Sequence, residues 1–300
     1  MAFRLPLHQD LDDSVRQTAR EELAGAVRLL RDDYHDDPVT AIHEARKNLK
    51  KTRALLRLVR YGLDKDVRRR ENAAIRDAAR LISGARDSDV MLETVGTLAK
   101  RGDARVHAVK LAEVRLRLGS PAGDGRGSVS DGNGGPAAVI VVLEGVLGRI
   151  DEWPLDCDWP KLGRGVSRAY RRGRDAFVEA EVDPTTERLH DWRKRVKDLW
   201  YHQRLLCEAW PEVFGVQAEE AHRLSELLGD DHDLGVLAER LSADGDAAIL
   251  DLISDARAEL LRDARRLGRR VYAETGAAFK TRIQAYLRWA AAEAAHDASV

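Results

Sequence analysis

The chain has 300 residues, of which 50 are Lys or Arg and 51 Asp or Glu, so its formal charge is −1 and no whole-protein excess of positive charge argues for a polyanionic partner. Two cysteines, Cys157 and Cys207, build neither a disulfide framework nor a metal-type spacing, which points to a reducing cytoplasm. The N-terminal MAFRLPLHQDLDD lacks an apolar core of the signal-peptide kind, and no window approaches 18 consecutive apolar residues, so neither secretion nor membrane spanning is expected.

Stretches rich in Ala, Leu, Arg and Glu with 3.6-residue spacing, and only eight prolines, predict an all-α protein. In chain order the predicted helices cover 12–34, 39–61, 65–84, 87–118, 137–152, 160–180, 185–209, 214–229, 232–242 and, with breaks, 246–295. The Gly/Ser/Asp-rich run 119–136 cannot bury a face and reads as a linker between an N-terminal half, 1–118, and a C-terminal half, 137–300.

The second predicted helix and the seventh follow one recipe at an offset of 147 residues: His43-Glu-Ala-Arg46-Lys47-Asn-Leu-Lys50 and His190-Asp-Trp-Arg193-Lys194-Arg-Val-Lys197. Arg57 and Arg204 extend both patterns fourteen residues beyond the histidine. At roughly 100° per residue these side chains share about a third of the circumference, and the stripe from Arg46 to Arg57 runs about 16 Å. Ile42, Ala45, Leu49, Leu56 and Val59 form the opposite apolar arc, as do Leu189, Trp192, Val196, Leu199 and Leu206. Residues 43–60 hold seven Lys/Arg and one Glu, Glu44, which the helical spacing puts off the stripe. A row of cations without interleaved acids suits an extended polyanion. The absence of exposed aromatics from the first row favours bare phosphate over stacked nucleic-acid bases, although RNA, DNA or an acidic protein partner answers to the same charges.

The repeat continues into Leu81-Ile-Ser-Gly84-Ala-Arg-Asp87 and Leu227-Leu-Gly229-Asp-Asp-His-Asp233, where each glycine reads as a helix stop and the aspartates as restarts. Two halves built alike suggest a duplicated helical bundle with an approximate two-fold axis. Glu187-x-x-His190 and Glu219-x-x-His222 have the spacing of di-iron ligands, but the cations around His190 repel a dication, and no metal or cofactor is expected.

The duplicated His-x-x-Arg-Lys helices, the Leu-Gly…Asp turns and Tyr170-Arg-Arg-Gly-Arg174 together resemble the CHAD domain, the conserved histidine α-helical domain, from about Leu11 to about Ala290. The resemblance implies two antiparallel four-helix bundles related by pseudo-two-fold symmetry around a basic central groove or pore. It further implies a non-catalytic binder of inorganic polyphosphate in the cytoplasm, with an association with polyphosphate granules. The ligand set it implies is His43, Arg46, Lys47, Lys50, Arg57, His190, Arg193, Lys194, Lys197 and Arg204. Arg76 and Arg80, and further Arg20, Arg168, Arg171 and Arg172, join by the same resemblance. Trp200 and Tyr201 stand where the first half has Arg53 and Ala54, which implies less charge and more packing in the second half. A weak phosphohydrolase remains the second alternative.

Overall fold

The computed structural model describes residues 3–6, 9–82, 87–101, 107–119, 135–242 and 247–297. Among them the protein is all-helical, and its sole β-type pairing is an isolated antiparallel bridge between Leu63 and Leu155. The helices are α1 (Leu11–Arg28), α2 (Pro38–Leu58), α3 (Lys65–Leu81), α4 (Asp87–Ala99), α5 (Ala108–Gly119), α6 (Gly135–Leu147), α7 (Trp159–Val182), α8 (Thr186–Leu205), α9 (Pro211–Ser242), α10 (Ala247–Val271) and α11 (Gly276–Asp297). A short π-helical turn, Leu29–Asp33, extends α1. The predicted glycine stop at Gly84 and most of the predicted linker fall outside the described residues.

Local chemistry sets where the main helices begin. Asp10, Asp37, Asp64 and Asp158 each accept hydrogen bonds from first-turn amides of α1, α2, α3 and α7, and Thr185 does so for α8. Proline follows the cap directly at Pro38 and one residue later at Pro160, where the missing amide hydrogen is not needed.

Helix α2 packs between α1 and α3, α6 closes against both α1 and α3, and α7, α8 and α9 pack in sequence with α11 against α7. Thus α6, which follows the Gly/Ser-rich stretch, shares its core with helices that precede it, and the packing does not divide at residues 119–136. The end of this arrangement is pinned by Glu71, a fully buried carboxylate on α3 that accepts hydrogen bonds from Arg149 at 2.8 and 3.0 Å and from Arg70 at 2.7 and 2.9 Å. Burial pushes that carboxyl up, the two guanidinium groups outweigh it, and the net shift is downward.

Both basic helices present the predicted apolar arcs inward: Ile42, Ala45, Leu49, Leu56 and Val59 are buried, as are Leu189, Trp192, Val196, Leu199 and Leu206. The main core joins them with Leu23, Ile75, Leu143, Tyr170, Phe177 and Phe279. A second, smaller core lies where α4 and α5 meet the far halves of α9 and α10, around Leu98, Val114, Leu237 and Ile253.

The predicted stop at Gly229 and restart near Asp233 are corrected: α9 runs unbroken from Pro211 to Ser242. Gly229 is a helix-interior glycine over which the Arg193 guanidinium lies so closely that a Cβ there would stand 2.9 Å from Nη2. Asp231 points into the smaller core's edge, where Arg257 Nε donates to it at 2.9 Å. The Gly-Asp-Asp sequence serves tertiary partners rather than a turn. The predicted helix 87–118 is likewise two helices, α4 and α5.

Candidate functional site: a cationic cleft between the two basic helices

α2 and α8 touch directly. His202, fully buried on α8, places Nε2 3.0 Å from the Ala54 carbonyl of α2, and Arg57 of α2 pairs with Asp198 of α8 at 2.8 Å. On the neighbouring face α7 approaches the end of α2 at Gly165, where a Cβ would fall 2.0 Å from the Leu58 carbonyl oxygen. These contacts fix the spacing of the helices that carry the predicted cations.

Beside the crossing lies a cleft of about 570 Å³. Lys50, Arg53 and Arg57 enter it from α2, Arg60 from just past its end, Arg68 from α3, Arg172 from α7, and Lys194, Arg195 and Lys197 from α8. Nine cationic side chains thus face one carboxylate, Asp198, with Asn72, Leu56 and Tyr201 completing the lining. Tyr201 is 6% exposed, so the cleft's one aromatic ring offers no open face.

The crowding is visible in the charges themselves. Arg53 is held below its ordinary value by burial and then by Arg57 and Arg76; Arg60 by burial, Arg168 and Arg68; Arg172 by burial, Arg195 and Arg168. Part of this repulsion is relieved by Asp198, which also lies 3.9 Å from Arg195, by Asp191, which Arg195 reaches at 3.0 Å, and by Asn72, which accepts from Arg53 Nε at 3.1 Å. So dense a group of cations is suited chemically to an anionic ligand.

Five residues of the predicted ligand set line the cleft: Lys50, Arg57, Arg172, Lys194 and Lys197. Arg168, Arg76 and Arg80 stand close enough to act on its arginines, although Arg76 is bound bidentately to Asp77 and Arg80 reaches the same carboxylate at 3.2 Å. Arg46 donates to the Ile82 carbonyl at 3.4 Å, toward the end of α3. Lys47 pairs with Glu44 at 2.9 Å and His43 lies 3.8 Å from the same carboxylate, so the expectation that Glu44 stands apart from the stripe is corrected.

His190 stacks on His232 of α9 with ring centroids 5.0 Å apart, and Arg193 covers Gly229. Burial, then Lys194, His232 and Arg193, hold the His190 imidazole below its ordinary value, favouring its neutral form. Arg20 pairs with Asp151, and Arg171 packs over Gly276 at the turn into α11; neither lines the cleft. Arg204 lies past the α2–α8 crossing, between the rings of Phe3 and Trp200.

Arg53, Arg60, Arg68 and Arg195 line the cleft without having been singled out in the sequence. For Arg53 the signal was there, since it falls three residues after Lys50 and four before Arg57 on the same face. Its repeat partner is Trp200, so Arg53 is not part of the recipe that the two halves share. Arg195 has no such signal, because its place in the cleft depends on Asp191, bonded at 3.0 Å, and on Asp198. Among the described residues no group of three or more His, Cys, Asp or Glu is placed to hold a metal ion.

A helical domain in which histidine-headed basic helices converge on one cleft defines the class. A family model of the CHAD domain matches residues 14–242, and the chain belongs to the CHAD domain family. Among solved structures it is similar to the CHAD domain from the plant Ricinus communis, with TM-score 0.50 and 16% identity over 92% of this chain and 96% of that one. It also matches PptA from Streptomyces chartreusis, with TM-score 0.49 and 15% identity over 87% of this chain and 97% of that one. No curated protein matches the chain.

Proposed function

We propose that the cleft binds inorganic polyphosphate, and that it does so without turning it over. The observation that carries this reading is the convergence of nine cations from four neighbouring segments around a single carboxylate. A linear chain of phosphates presents charge on every unit and needs no base-reading contact, which suits a lining of Lys and Arg without an open aromatic face. Arginine forks bind successive phosphate oxygens bidentately, and the lysines follow the chain as mobile point charges.

In this reading α1, α2, α3 and α6 make one four-helix bundle, and α7, α8, α11 and the first half of α9 make its counterpart, with α2 and α8 exchanged by an approximate two-fold axis along the groove. Support comes from the duplicated sequence recipe and from the direct α2–α8 contact. Binding without turnover is favoured because the one carboxylate in the lining is engaged by Arg57 and so is not available as a general base. No described helix is long and apolar enough to cross a membrane. The proposal places the protein with polyphosphate stores in the cytoplasm.

The test is titration of labelled long-chain polyphosphate at near-physiological salt against the full chain and against Lys50→Glu with Lys197→Glu, with RNA, duplex DNA and a short phosphate oligomer as competitors. Binding is expected to fall at least about a hundredfold in the double variant, since two cations become two anions. Helicity should be unchanged, and phosphate release with Mg²⁺ should stay at background. Retained affinity in the variant, or equal competition by nucleic acid per phosphate, overturns the reading.

A further inference from the structure

On the other side of the α2–α8 crossing is an open hollow of about 600 Å³ between the end of α8 and one face of α9. α9 turns residues three and four apart toward it: Gly215 and Ala218 form a floor without bulk, and Glu219, His222, Arg223 and Glu226 stand around that floor. α8 contributes Trp200 and Arg204, and Phe3 closes the hollow because Leu5 N donates to Leu205 O at 2.9 Å, holding the N-terminal segment across the helix end.

The lining differs in kind from that of the cleft. Arg4, Arg204 and Arg223 are offset in part by Glu219 and Glu226, and a large aromatic wall is present. His222 meets Trp200 edge-on with centroids 4.2 Å apart and lies 3.1 Å from Glu226, and Trp200 is in turn stacked on Tyr201 with centroids 4.5 Å apart. Arg204 sits with its guanidinium 5.7 Å from the Phe3 ring centroid and 5.5 Å from that of Trp200. Those rings hold the group in place without using its hydrogen-bond donors, and it forms no hydrogen bond or ion pair among the described residues. Cys207, whose thiol burial raises, stays protonated and serves as an apolar wall.

We propose that this hollow is a second, separate ligand site that takes a nucleoside monophosphate carrying an amino group on its base. Each part of such a ligand has a complement: the base packs against the apolar wall of Phe3, Trp200 and Ala218, Glu219 accepts from the exocyclic amine, and Arg204 with Arg223 forks the phosphate. A bare phosphate chain leaves the aromatic wall uncovered and meets Glu219 and Glu226, so the balance of charge selects against the ligand proposed for the cleft. The volume falls in the range of small-molecule sites, about 300–1,000 Å³.

Gly215 supplies a clean test, because it lines the hollow and a Cβ placed on it meets nothing within 4 Å, so a larger side chain starts from open space there. Calorimetric titration of the full chain with AMP, adenosine and inorganic phosphate is expected to show AMP binding more tightly than either part. Gly215→Leu and Arg204→Gln should each weaken AMP at least about tenfold. Lys50→Glu with Lys197→Glu should leave AMP affinity unchanged, which separates this site from the cleft whatever becomes of polyphosphate. Absence of AMP binding at millimolar concentration, loss of it in the cleft variant, or full retention in Gly215→Leu overturns the proposal.

Discussion

Asp198 stands one helical turn beyond Lys194, in the middle of the cations it faces, and bonds Arg57 across the crossing at 2.8 Å with only 14% of its side chain exposed. In the repeat it takes the place of Lys51, which in the first half turns away to pair with Glu22 at 3.0 Å. Its carboxylate acts as an internal counter-ion to Arg57, and in the proposed reading an incoming phosphate competes with it. Asp198→Asn should therefore tighten polyphosphate several-fold while lowering the stability of the ligand-free protein by about 1–3 kcal/mol, because Arg57 loses its partner among like charges. Parallel melting curves with and without polyphosphate test both signs, and equal losses in the two conditions refute the counter-ion role. His202, on the next turn of α8, is buried as a neutral ring with its value depressed to about 4 from 6.5, chiefly by desolvation. Below pH 6.5 the unfolded chain takes up a proton that the folded chain refuses. Stability should thus fall as the pH drops from about 6.5 toward 4, by up to about 3 kcal/mol at 1.4 kcal/mol per unit. Denaturant titrations across that window should show a flatter pH slope for His202→Gln, and an unchanged slope refutes the assignment.

Among the elements, α2 and α8 were legible in the sequence because their apolar arcs and basic stripes obey one period over five turns, and every arc residue is buried. α9 was not, because Gly229 and the aspartates after it carry strong local stop and cap signals whose use is decided by Arg193 and Arg257, far off in the chain. Arg204 shows the same limit from the other side. It shares the angular position of Lys197, yet two helical turns along the axis take it past the crossing and into a different hollow. Angle was readable from spacing, whereas the point where another helix crosses was not. Helix crossings also separate two glycines that look alike in sequence. Gly165→Ala drives a Cβ to 2.0 Å from the Leu58 backbone oxygen, which cannot move aside cheaply, and should destabilise by about 1–3 kcal/mol or more. Gly215→Ala meets open space inside a helix and should stabilise by about 0.5–1 kcal/mol. Thermal unfolding of the pair checks the α2–α7 contact, and similar small shifts for both glycines count against it.

Across the whole molecule a net charge of −1 conceals a strong separation of sign, since the cleft concentrates nine cations while carboxylates such as Asp32, Asp33, Asp36 and Asp37 gather elsewhere. Long-range attraction of a polyanion to the protein as a whole is therefore weak, and binding depends on what happens within a Debye length, about 10 Å at 0.1 M salt, of the cleft. If the cleft holds polyphosphate as proposed, each phosphate seated there releases condensed counterions, and the logarithm of the association constant should fall linearly with the logarithm of salt concentration. Taking about 0.7 per contact, the figure for a single-stranded polyanion, and five to nine cations engaged, the slope is about −4 to −6. Lys50→Glu should make the slope shallower by about one contact, because the position stops displacing a counterion, whereas Gly215→Leu, in the uncharged floor of the other hollow, should leave it untouched. A slope near −1 in the unmodified protein means that only one or two charges engage the chain, and then the cations act as isolated surface groups rather than as one binding surface.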